Sequence, residues 1–493
     1  MILKKIMSNK KSPSIRKLNY LALLSSTTIL LQPNSLLAGE SIWYKSNDPL
    51  DTQVFMPLVI PDGYLEQSSC VVISYDNALT LADVAEAALC NNPQTREAYA
   101  SARVQAAQLG IAKSAYLPSV NDNVSANLNV AFPQQSSRSN PYSNLSNNIV
   151  ASYLLYDFGN RDASLENARQ LLQAASATQS NVVQSVLLNA IQAYYQVQAG
   201  ISALDASSQS ERASEESYKA AQARYKAGVS TPADKLQALT LFAQNTLNRI
   251  TIEGTLKTAY GTLANVMGLA ANQTLKLAPT PTTAAQPPNN IDQNIELLIE
   301  QAHSRRPDLM ASEAQLKAAE ASIEVSRSAA KPTVSVAVSN GFQTGSNLSS
   351  NDNSALGVTV SIPIFNGYAP TYRIRAAEAN FDVRAAQRDK LRLQISLDVW
   401  SAYQSLRTAN ESINAAVILV SSAEESARVA MGRYTAGVGN ILDSINAQSA
   451  LASARQQKIQ ATLNWNIARA TLAQSIGGLD NAMLQSLPAG KNQ

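Results

Sequence analysis

Residues 224–234 read RYKAGVSTPAD and residues 433–443 read RYTAGVGNILD, so one short motif occurs twice at a separation of 209 residues. Outward from this pair the match continues without a gap, and residues 156–268 can be laid on residues 365–477. Residues before this block also align with the second copy, but at a separation of 214 residues, so that Pro93 corresponds to Pro307. The chain therefore contains two copies of one unit, with a period far too long for a solenoid repeat.

A very long helix is predicted before each motif and a return helix after it. Residues 160–226 contain no proline and one glycine, Gly200, and are rich in Ala, Gln, Leu and Ser, which helices accept well. Gly228 is the residue type expected just past a helix C-terminus, and Thr231-Pro232 is typical of a helix start. Helices are thus predicted at residues 160–226, 233–267, 371–435 and 441–476. One more helix is predicted earlier in each copy, at residues 81–115 and 291–329.

Two short regions of each copy change to a period of two residues. Val124, Ala126 and Leu128 alternate with small polar residues, and alternation resumes at residues 149–155 after a loop rich in Ser, Asn and Pro. The second copy repeats this pattern at residues 334–338 and 356–364. The alternation predicts four strands of about ten residues with one apolar face. They are arranged as two hairpins, at residues 121–156 and 333–365.

The N-terminus has the features of an export signal. An apolar run at residues 18–31 and the small pair Ala38-Gly39 follow six cations, Lys4, Lys5, Lys10, Lys11, Arg16 and Lys17. This order predicts a secretory signal peptide at residues 1–38, with a retained N-terminal anchor as the alternative. Removing the six cations changes the formal net charge from +3 to −3, so the basicity does not indicate nucleic acid as a partner.

Cys70 and Cys90 are the only cysteines, and both lie in the exported part. In an oxidising compartment they are expected to form one disulfide, which would pin the unduplicated segment at residues 39–78 to the first helix. The absence of a cysteine at the predicted cleavage point argues against a lipid-anchored N-terminus. The remaining boundaries are a first repeat at 79–275, a proline-rich linker at 276–290, a second repeat at 291–478 and a tail at 479–493.

The predicted strands match the length of transmembrane β-strands, about 9–11 residues. Four strands cannot close a barrel, and an open edge in lipid leaves unpaired backbone groups at several kcal/mol each. The chain is therefore expected to form a barrel together with further copies of itself. Two chains would supply eight strands, and three chains would supply twelve. A sheet in a soluble protein is the alternative, but the export signal and the aromatic residues Tyr156 and Phe365 at matching strand ends favour a membrane. A barrel extended by helices of roughly 100 Å indicates a conduit.

The order and doubling of the motifs resemble the TolC family of outer-membrane channel proteins, over essentially the whole mature chain. The motifs are Asn92-Pro93, Tyr116-Leu117-Pro118, residues 155–159 (LYDFG), residues 224–229 and Asp234, then Arg306-Pro307, residues 363–367 (PIFNG), residues 433–438 and Asp443. The resemblance implies a mainly α fold with a small β part. Duplicated long-helix hairpins would form an α-barrel through the periplasm in a trimer. Two β-hairpins per chain would contribute to a shared twelve-stranded transmembrane β-barrel in the outer membrane of a Gram-negative bacterium.

The resemblance also implies roles for residues near the two motifs. An adaptor protein would grip a periplasmic tip, whose motif is matched by Arg224, Gly228, Val229, Arg433, Gly437 and Val438. Aspartates would close the entrance: Asp443 matches such a position, Asp234 is its first-copy counterpart, and Asn446 replaces a second aspartate. The gate is then less charged, and no metal is expected there. The alternative is structural, since glycine ends helices, arginine favours a helix C-terminus and Asp234 suits a capping box.

The predicted function is that of a passive, trimeric exit duct. It would receive substrate from an inner-membrane ABC or proton-driven transporter through a periplasmic adaptor, and contact outer-membrane lipid. Type I protein secretion is favoured because the N-terminus lacks a lipid-anchoring cysteine and because Cys70 and Cys90 precede residues 91–96. A multidrug efflux pump component is the alternative.

Two other classes of protein explain less of the chain. A soluble coiled-coil adaptor would account for the helices alone, because adaptors usually carry a helical hairpin between β-rich domains. A secreted enzyme lacks a site: His303 stands in no ligand pattern, and no phosphate loop, nucleophile elbow or metal motif occurs. No catalytic residue, cofactor or metal is predicted.

Overall fold

A computed structural model describes residues 49–50, 52, 78–130, 142–278, 294–346 and 348–479. The chain divides into one unit at Met1–Asp51 and a second at Thr52–Gln493. All elements described below belong to the second unit. The predicted signal peptide, most of the segment at 39–78, most of the linker and nearly all of the tail lie outside the described residues. Cys70 does too, so the Cys70–Cys90 disulfide stays a prediction.

The described residues contain eight helices and four strands, in an order that repeats once. They are α1 (Leu81–Asn91), α2 (Pro93–Ser114), β1 (Ser119–Asn129), β2 (Tyr142–Tyr156), α3 (Asn160–Lys226), α4 (Pro232–Val266), α5 (Ile295–Arg305), α6 (Pro307–Ser328), β3 (Thr333–Gly345), β4 (Leu348–Ser361), α7 (Ala369–Thr435) and α8 (Ile441–Ser475). The long helices α3 and α7 have 67 residues each, and the return helices α4 and α8 have 35 each. The mainly α fold with a small β part is confirmed.

The helix predicted at residues 81–115 is two helices, and so is its counterpart at residues 291–329. Asn92 and Arg306 interrupt them with extended backbone, at ψ angles of 129° and 123°. Each of the two precedes a proline, whose ring disfavours a helical conformation in the residue before it. Asn92 also caps α2 by accepting a hydrogen bond from Gln94 N at 2.8 Å. The prediction of continuous helices was wrong at these positions.

The long helix α3 and its return helix α4 pack closely against each other. A Cβ atom at Gly200 would lie 2.9 Å from Leu256 Cδ1, so the glycine in the middle of α3 makes this approach possible. At the C-terminal end of α4, the Asn92 side chain donates to Val266 O at 2.9 Å. The break between α1 and α2 is thereby tied to the end of the return helix.

The four strands form one antiparallel sheet in the order β1-β2-β3-β4. Because β2 pairs with β3, the hairpins of the two repeats are joined within one chain. The strands have 11, 15, 13 and 14 residues, somewhat longer than predicted. Within the described residues, β1 and β4 have one neighbour each, so the sheet has two open edges.

The two aromatic residues expected at matching strand ends differ in position. Tyr156 is the last residue of β2, as predicted. Phe365 lies four residues beyond Ser361, the last residue of β4. The intervening Pro363 has no backbone N–H to donate to a strand ladder, which explains why β4 ends before Phe365.

The largest buried cluster lies where α1, α3 and α4 meet. Leu89, Leu187 and Leu263 are fully buried there, and Leu463 and Ala470 of α8 belong to the same cluster. The two repeats therefore share a core. In space, α3 contacts α4 and α8, and α8 contacts α7. The long and return helices therefore form a row in the order α4, α3, α8, α7.

Candidate functional site at the two helix turns

The first turn, residues 227–231, reverses the chain between α3 and α4. Gly228 has a φ angle of 74°, in the left-handed region that favours glycine. Gly228 N donates to Tyr225 O at 2.9 Å, and Val229 N donates to Arg224 O at 3.0 Å. These two bonds form a Schellman motif, which satisfies carbonyl groups left free at the helix end. Gly228 therefore ends α3 as the sequence predicts.

The second turn, residues 436–440, has the same local structure. Gly437 has a φ angle of 83°. Gly437 N donates to Tyr434 O and Val438 N donates to Arg433 O, both at 3.0 Å. Val229 and Val438 are 63% and 72% exposed, so each turn presents an apolar side chain at its end.

Asp234 closes a capping box at the start of α4. Its Oδ2 accepts hydrogen bonds from Thr231 N at 3.0 Å and Ser230 Oγ at 3.1 Å, while Asp234 N donates to Thr231 Oγ1 at 3.2 Å. The bond from the Thr231 backbone makes the largest contribution to lowering the pKa of Asp234, and the positive charge of Arg224 lowers it further. The structural role that the sequence allows for Asp234 is therefore present.

Asp443 holds the equivalent position in α8 but has a different environment. Asn440 caps this helix, and its Oδ1 accepts a hydrogen bond from Leu442 N at 3.1 Å. The Asp443 side chain is exposed and makes no hydrogen bond or ion pair with any residue that the structure describes. Its carboxylate is therefore open to a further partner.

Arg224 connects the two turns. Its Nη1 donates to Tyr434 O at 3.0 Å, and its guanidinium lies over the Tyr434 ring at 5.1 Å from the centroid. The position of a Cβ at Gly437 would be 3.8 Å from Arg224 Nη1, so the arginine reaches the second turn itself. Tyr434 is not among the residues predicted from the sequence, although the Arg-Tyr pair before each turn is a signal for it.

The two tyrosines at equivalent positions are buried to different extents. Tyr434 is 4% exposed, whereas Tyr225 is 41% exposed. The Tyr225 ring lies near a lysine of its own repeat, with Lys235 Nζ 5.6 Å from the ring centroid. Arg433, the counterpart of Arg224, is exposed and its side chain has no hydrogen-bond or ion-pair partner in the described part of the chain. One chain therefore makes the Arg-on-Tyr contact once, although it contains the residues for two.

A groove of about 490 Å³ lies between the end of α7 and the start of α8. Its lining includes Arg433, Asp443 and Asn446, together with Glu425 and Ser426. The structure thus brings the predicted tip residue Arg433 together with the predicted gate residues Asp443 and Asn446. Those of the first repeat, Arg224 and Asp234, lie at the neighbouring turn.

The chemistry of this region is that of a binding surface. Each turn combines a cation, an exposed valine and a carboxylate within one helix reversal. No group of three or more His, Cys, Asp or Glu side chains suited to a metal ion occurs in the described ranges. Among the helices that the structure describes, none has both the length and the apolar character to cross a membrane.

Comparison with known proteins assigns the chain to a family. The model of the family described as outer membrane efflux protein matches residues 84–269 and 298–478. Protein CyaE of Bordetella pertussis is 29% identical over 388 residues, which are 77% of this chain and 80% of that protein. The outer membrane protein TolC of Vibrio cholerae is 24% identical over 440 residues, 84% of this chain and 94% of that protein. The solved structure of the outer-membrane channel OprN has a TM-score of 0.73 at 22% identity, covering 88% of this chain and 98% of that one.

Proposed function

Because the chain belongs to the outer membrane efflux protein family, we propose that three copies of it form the exit duct of a tripartite export system. Family and fold are those of Gram-negative outer-membrane channels with a helical periplasmic part, and not of enzymes. The resemblance to the TolC family and the outer-membrane location are thereby confirmed. The duct would conduct substrate passively from an inner-membrane transporter and a periplasmic adaptor.

The open edges of the sheet are the observation that supports a trimer. Its strands of 11 to 15 residues are long enough to cross a bilayer. The open edges at β1 and β4 would leave backbone groups unpaired in lipid. Three copies supply twelve strands, with β4 of one chain paired to β1 of the next, and leave no edge. This pairing extends the β2–β3 pairing that one chain already makes between its repeats.

The two turns are well placed for an adaptor contact. Each long helix begins within a few residues of the sheet and ends at a turn, and 67 residues of helix span roughly 100 Å. The turns therefore lie far from the sheet, at the periplasmic end of the proposed duct. The contact residues would be Arg224, Gly228, Val229, Arg433, Gly437 and Val438. Because Arg224 is engaged by Tyr434, the exposed Arg433 and the two valines are the groups most open to an adaptor.

We assign the proposed periplasmic gate chiefly to Asp443. The Asp234 carboxylate is held by the capping box, whereas Asp443 has no partner among the described residues. Three copies would bring three Asp443 carboxylates to one entrance, where they would repel anions and attract cations. Asn446 lines the same groove and adds no charge.

Single-channel recording tests the gate. Asp443→Ala should weaken the block of current by divalent cations, and Asp234→Ala should leave the block largely intact because its carboxylate serves the helix start. An unchanged block in Asp443→Ala would remove the gate role from this residue.

For the cargo, we favour protein over small molecules. The support is in the sequence: the predicted signal peptide has no cysteine at its cleavage point, and a cysteine pair precedes residues 91–96. The alternative, a multidrug efflux pump component, is supported by the efflux activity in the family description. Deletion of the gene, followed by comparison of secreted proteins and of antibiotic tolerance, distinguishes the two. Loss of a secreted protein supports the first, and increased antibiotic sensitivity alone supports the second.

The duct itself is tested by extraction and mass measurement. Mature protein should fractionate with the outer membrane, require detergent and have three times the chain mass in native mass spectrometry. A water-soluble single chain would contradict the proposal.

A further inference from the structure

Helices α3 and α8 carry a cation and two buried hydrogen-bond donors. The Arg469 guanidinium of α8 lies over the Trp465 ring, with Cζ 4.7 Å from the ring centroid. Tyr195 of α3 and Trp465 are each 3% exposed, and neither Tyr195 OH nor Trp465 Nε1 has a hydrogen-bond partner among the residues that the structure describes. A buried donor is costly without an acceptor, so both groups need one. Burial also lowers the pKa of Arg469, and an anion beside it would favour the charged form.

Tyr195 lies at about the same height as Arg469. Helices α3 and α8 are antiparallel, and Gln184 Nε2 of α3 donates to Gly477 O, just after α8, at 3.2 Å. Counted from this bond at 1.5 Å per residue, Tyr195 lies roughly 16 Å along α3 and Arg469 roughly 12 Å along α8. Burial raises the pKa of Tyr195, and the positive charge of Arg469 acts against that rise, as expected for neighbouring groups.

The first repeat shows how the chain continues after its return helix. Leu269 N donates to Ala264 O at 2.8 Å, which closes the end of α4. The chain then turns back onto the same helix. A Cβ at Gly261 would lie 3.4 Å from Ala271 O and 3.8 Å from Ala271 Cβ. Residue 271 therefore packs against residue 261.

The end of α8 makes the same turn. Gly478 N donates to Ala473 O at 2.9 Å, the bond equivalent to the one that closes α4. Leu479, the last residue of the described chain, is fully buried. It belongs to the same buried cluster as Ala470 and Tyr195. The chain after α8 therefore turns back toward the helix, as it does after α4.

The repeat offset predicts the place of the next residue, Asp480, which lies outside the described residues. Asp480 corresponds to Ala271, and Ala470 corresponds to Gly261. The contact between residues 271 and 261 thus predicts one between Asp480 and Ala470. Arg469 directly precedes Ala470, so its guanidinium is within reach of a carboxylate at this position.

The acid and the cation occur together in one repeat. The counterpart of Arg469 is Tyr260, and that of Asp480 is Ala271, so the first repeat has neither charge. Asp480 is also the only acidic residue of the tail at 480–493. A carboxylate has two oxygens that accept several hydrogen bonds, which suits a guanidinium together with a phenol and an indole N–H.

We propose that Arg469, Trp465 and Tyr195 form a binding site for one carboxylate group, and that Asp480 supplies this group. The site fixes the start of the tail to α8, at the level where the two repeats share a core. It goes beyond the proposed duct, because it lies within one chain and does not depend on the trimer or on the cargo.

Chemical rescue tests the site. In the mature protein, Asp480→Ala should accelerate hydrogen exchange in peptides that cover residues 476–482 roughly tenfold or more, because a charge-assisted hydrogen bond to this turn is lost. Sodium formate should restore most of the protection by filling the site, whereas sodium chloride at equal ionic strength should not. Arg469→Met should exchange as fast as Asp480→Ala, and adding it to Asp480→Ala should abolish the response to formate.

Arg455→Met is the matched control, because it removes another cation of α8, one whose partners are Gln209 and Glu424. Exchange at residues 476–482 should not change in this variant. Unchanged exchange in Arg469→Met, or absence of formate rescue in Asp480→Ala, would overturn the site. Normal exchange in Asp480→Ala with fast exchange in Arg469→Met would overturn Asp480 as the occupant. These results leave the proposed duct intact, whereas a monomer in native mass measurement refutes the duct and leaves the site.

The phenol of Tyr195 is tested by the sign of its effect. If Tyr195 OH donates to the carboxylate, Tyr195→Phe should accelerate exchange at residues 476–482 severalfold, since the ring and its packing are kept. Removal of a hydroxyl that is buried without an acceptor should instead leave exchange unchanged or slow it. The second result would exclude Tyr195 from the site.

Discussion

Replacement of Arg224 with methionine should loosen the second turn, although the changed residue belongs to the first repeat. Arg224 Nη1 donates to Tyr434 O, the same carbonyl that accepts from Gly437 N in the second turn. Methionine keeps an unbranched side chain as far as the position of Nε but has neither the charge nor the donors. The first turn keeps its own backbone hydrogen bonds, so the effect should be confined to the residues that Arg224 reaches.

The size of the effect follows from three contributions. A hydrogen bond from a charged group contributes about 1.5–3 kcal/mol to stability. The contact of the guanidinium with the Tyr434 ring adds about 1 kcal/mol. In the opposite direction, Arg224 Nε is buried without an acceptor, which costs about 1 kcal/mol that methionine removes. The net loss is about 2 kcal/mol, or roughly 30-fold in the equilibrium for local opening.

Hydrogen exchange with mass spectrometry measures this opening. Peptides that contain the Gly437 and Val438 amides should exchange roughly 30-fold faster in Arg224→Met than in the parent. Lys226→Met is the matched control, because it removes a cation from the same helical turn and Lys226 has no hydrogen-bond or ion-pair partner among the described residues. Unchanged exchange in Arg224→Met, or equal acceleration in the control, would refute the coupling of the two turns.

Valine at Gly228 or Gly437 should destabilise its turn by about 1–2 kcal/mol, because a β-branched residue is disfavoured at φ angles of 74° and 83°; export assays should show loss of secretion with trimers still present in the membrane, and normal secretion would argue against a contact role. The carboxylate of Asp234 has a lowered pKa, so its stabilisation is complete above its ordinary pKa of 3.8 and is lost as the pH falls below that value. Thermal unfolding of Asp234→Asn should therefore lose part of the acid dependence seen in the parent, and identical pH profiles would count against the capping role. Ile191→Ala should lower the free energy of unfolding by about 2–5 kcal/mol because Ile191 is fully buried. Trp400→Ala, at the equivalent position of the second repeat, should cost the single chain much less because Trp400 is about half exposed; denaturant titration compares the two variants, and equal losses would contradict the role of burial.

The ends of the long helices could be predicted from sequence to within two residues because local chemistry determines them. Gly228 adopts a backbone conformation that favours glycine, and Thr231 with Asp234 caps the next helix, so each signal lies within a few residues of the boundary. The break at Asn92 was missed even though Pro93 was visible. The cause of this break, Pro93, is also local. However, the helical spacing of apolar residues continues on both sides of Asn92, so the pattern suggests one continuous helix.

The contact between Arg224 and Tyr434 could not be predicted in this way. The two residues are 210 positions apart, and both repeats contain the same Arg-Tyr pair. Because the repeat aligns Tyr225 with Tyr434, the sequence predicts the same burial for both. Which of the two is buried depends on the order of the helices in the row. Similarly, the hydrogen bonds of Asp234 distinguish it from Asp443, although the repeat aligns them.

The covalent connection of two units in one polypeptide allows their joints to diverge. If a ring were assembled from six separate copies of a single unit, each substitution would alter all six joints in the same way. Here Gln184 and Leu393 occupy equivalent positions but are separate codons, and so are Ile191 and Trp400. In the proposed trimer, alternate joints can therefore acquire different strengths and different chemistry, which a ring of identical single units cannot do.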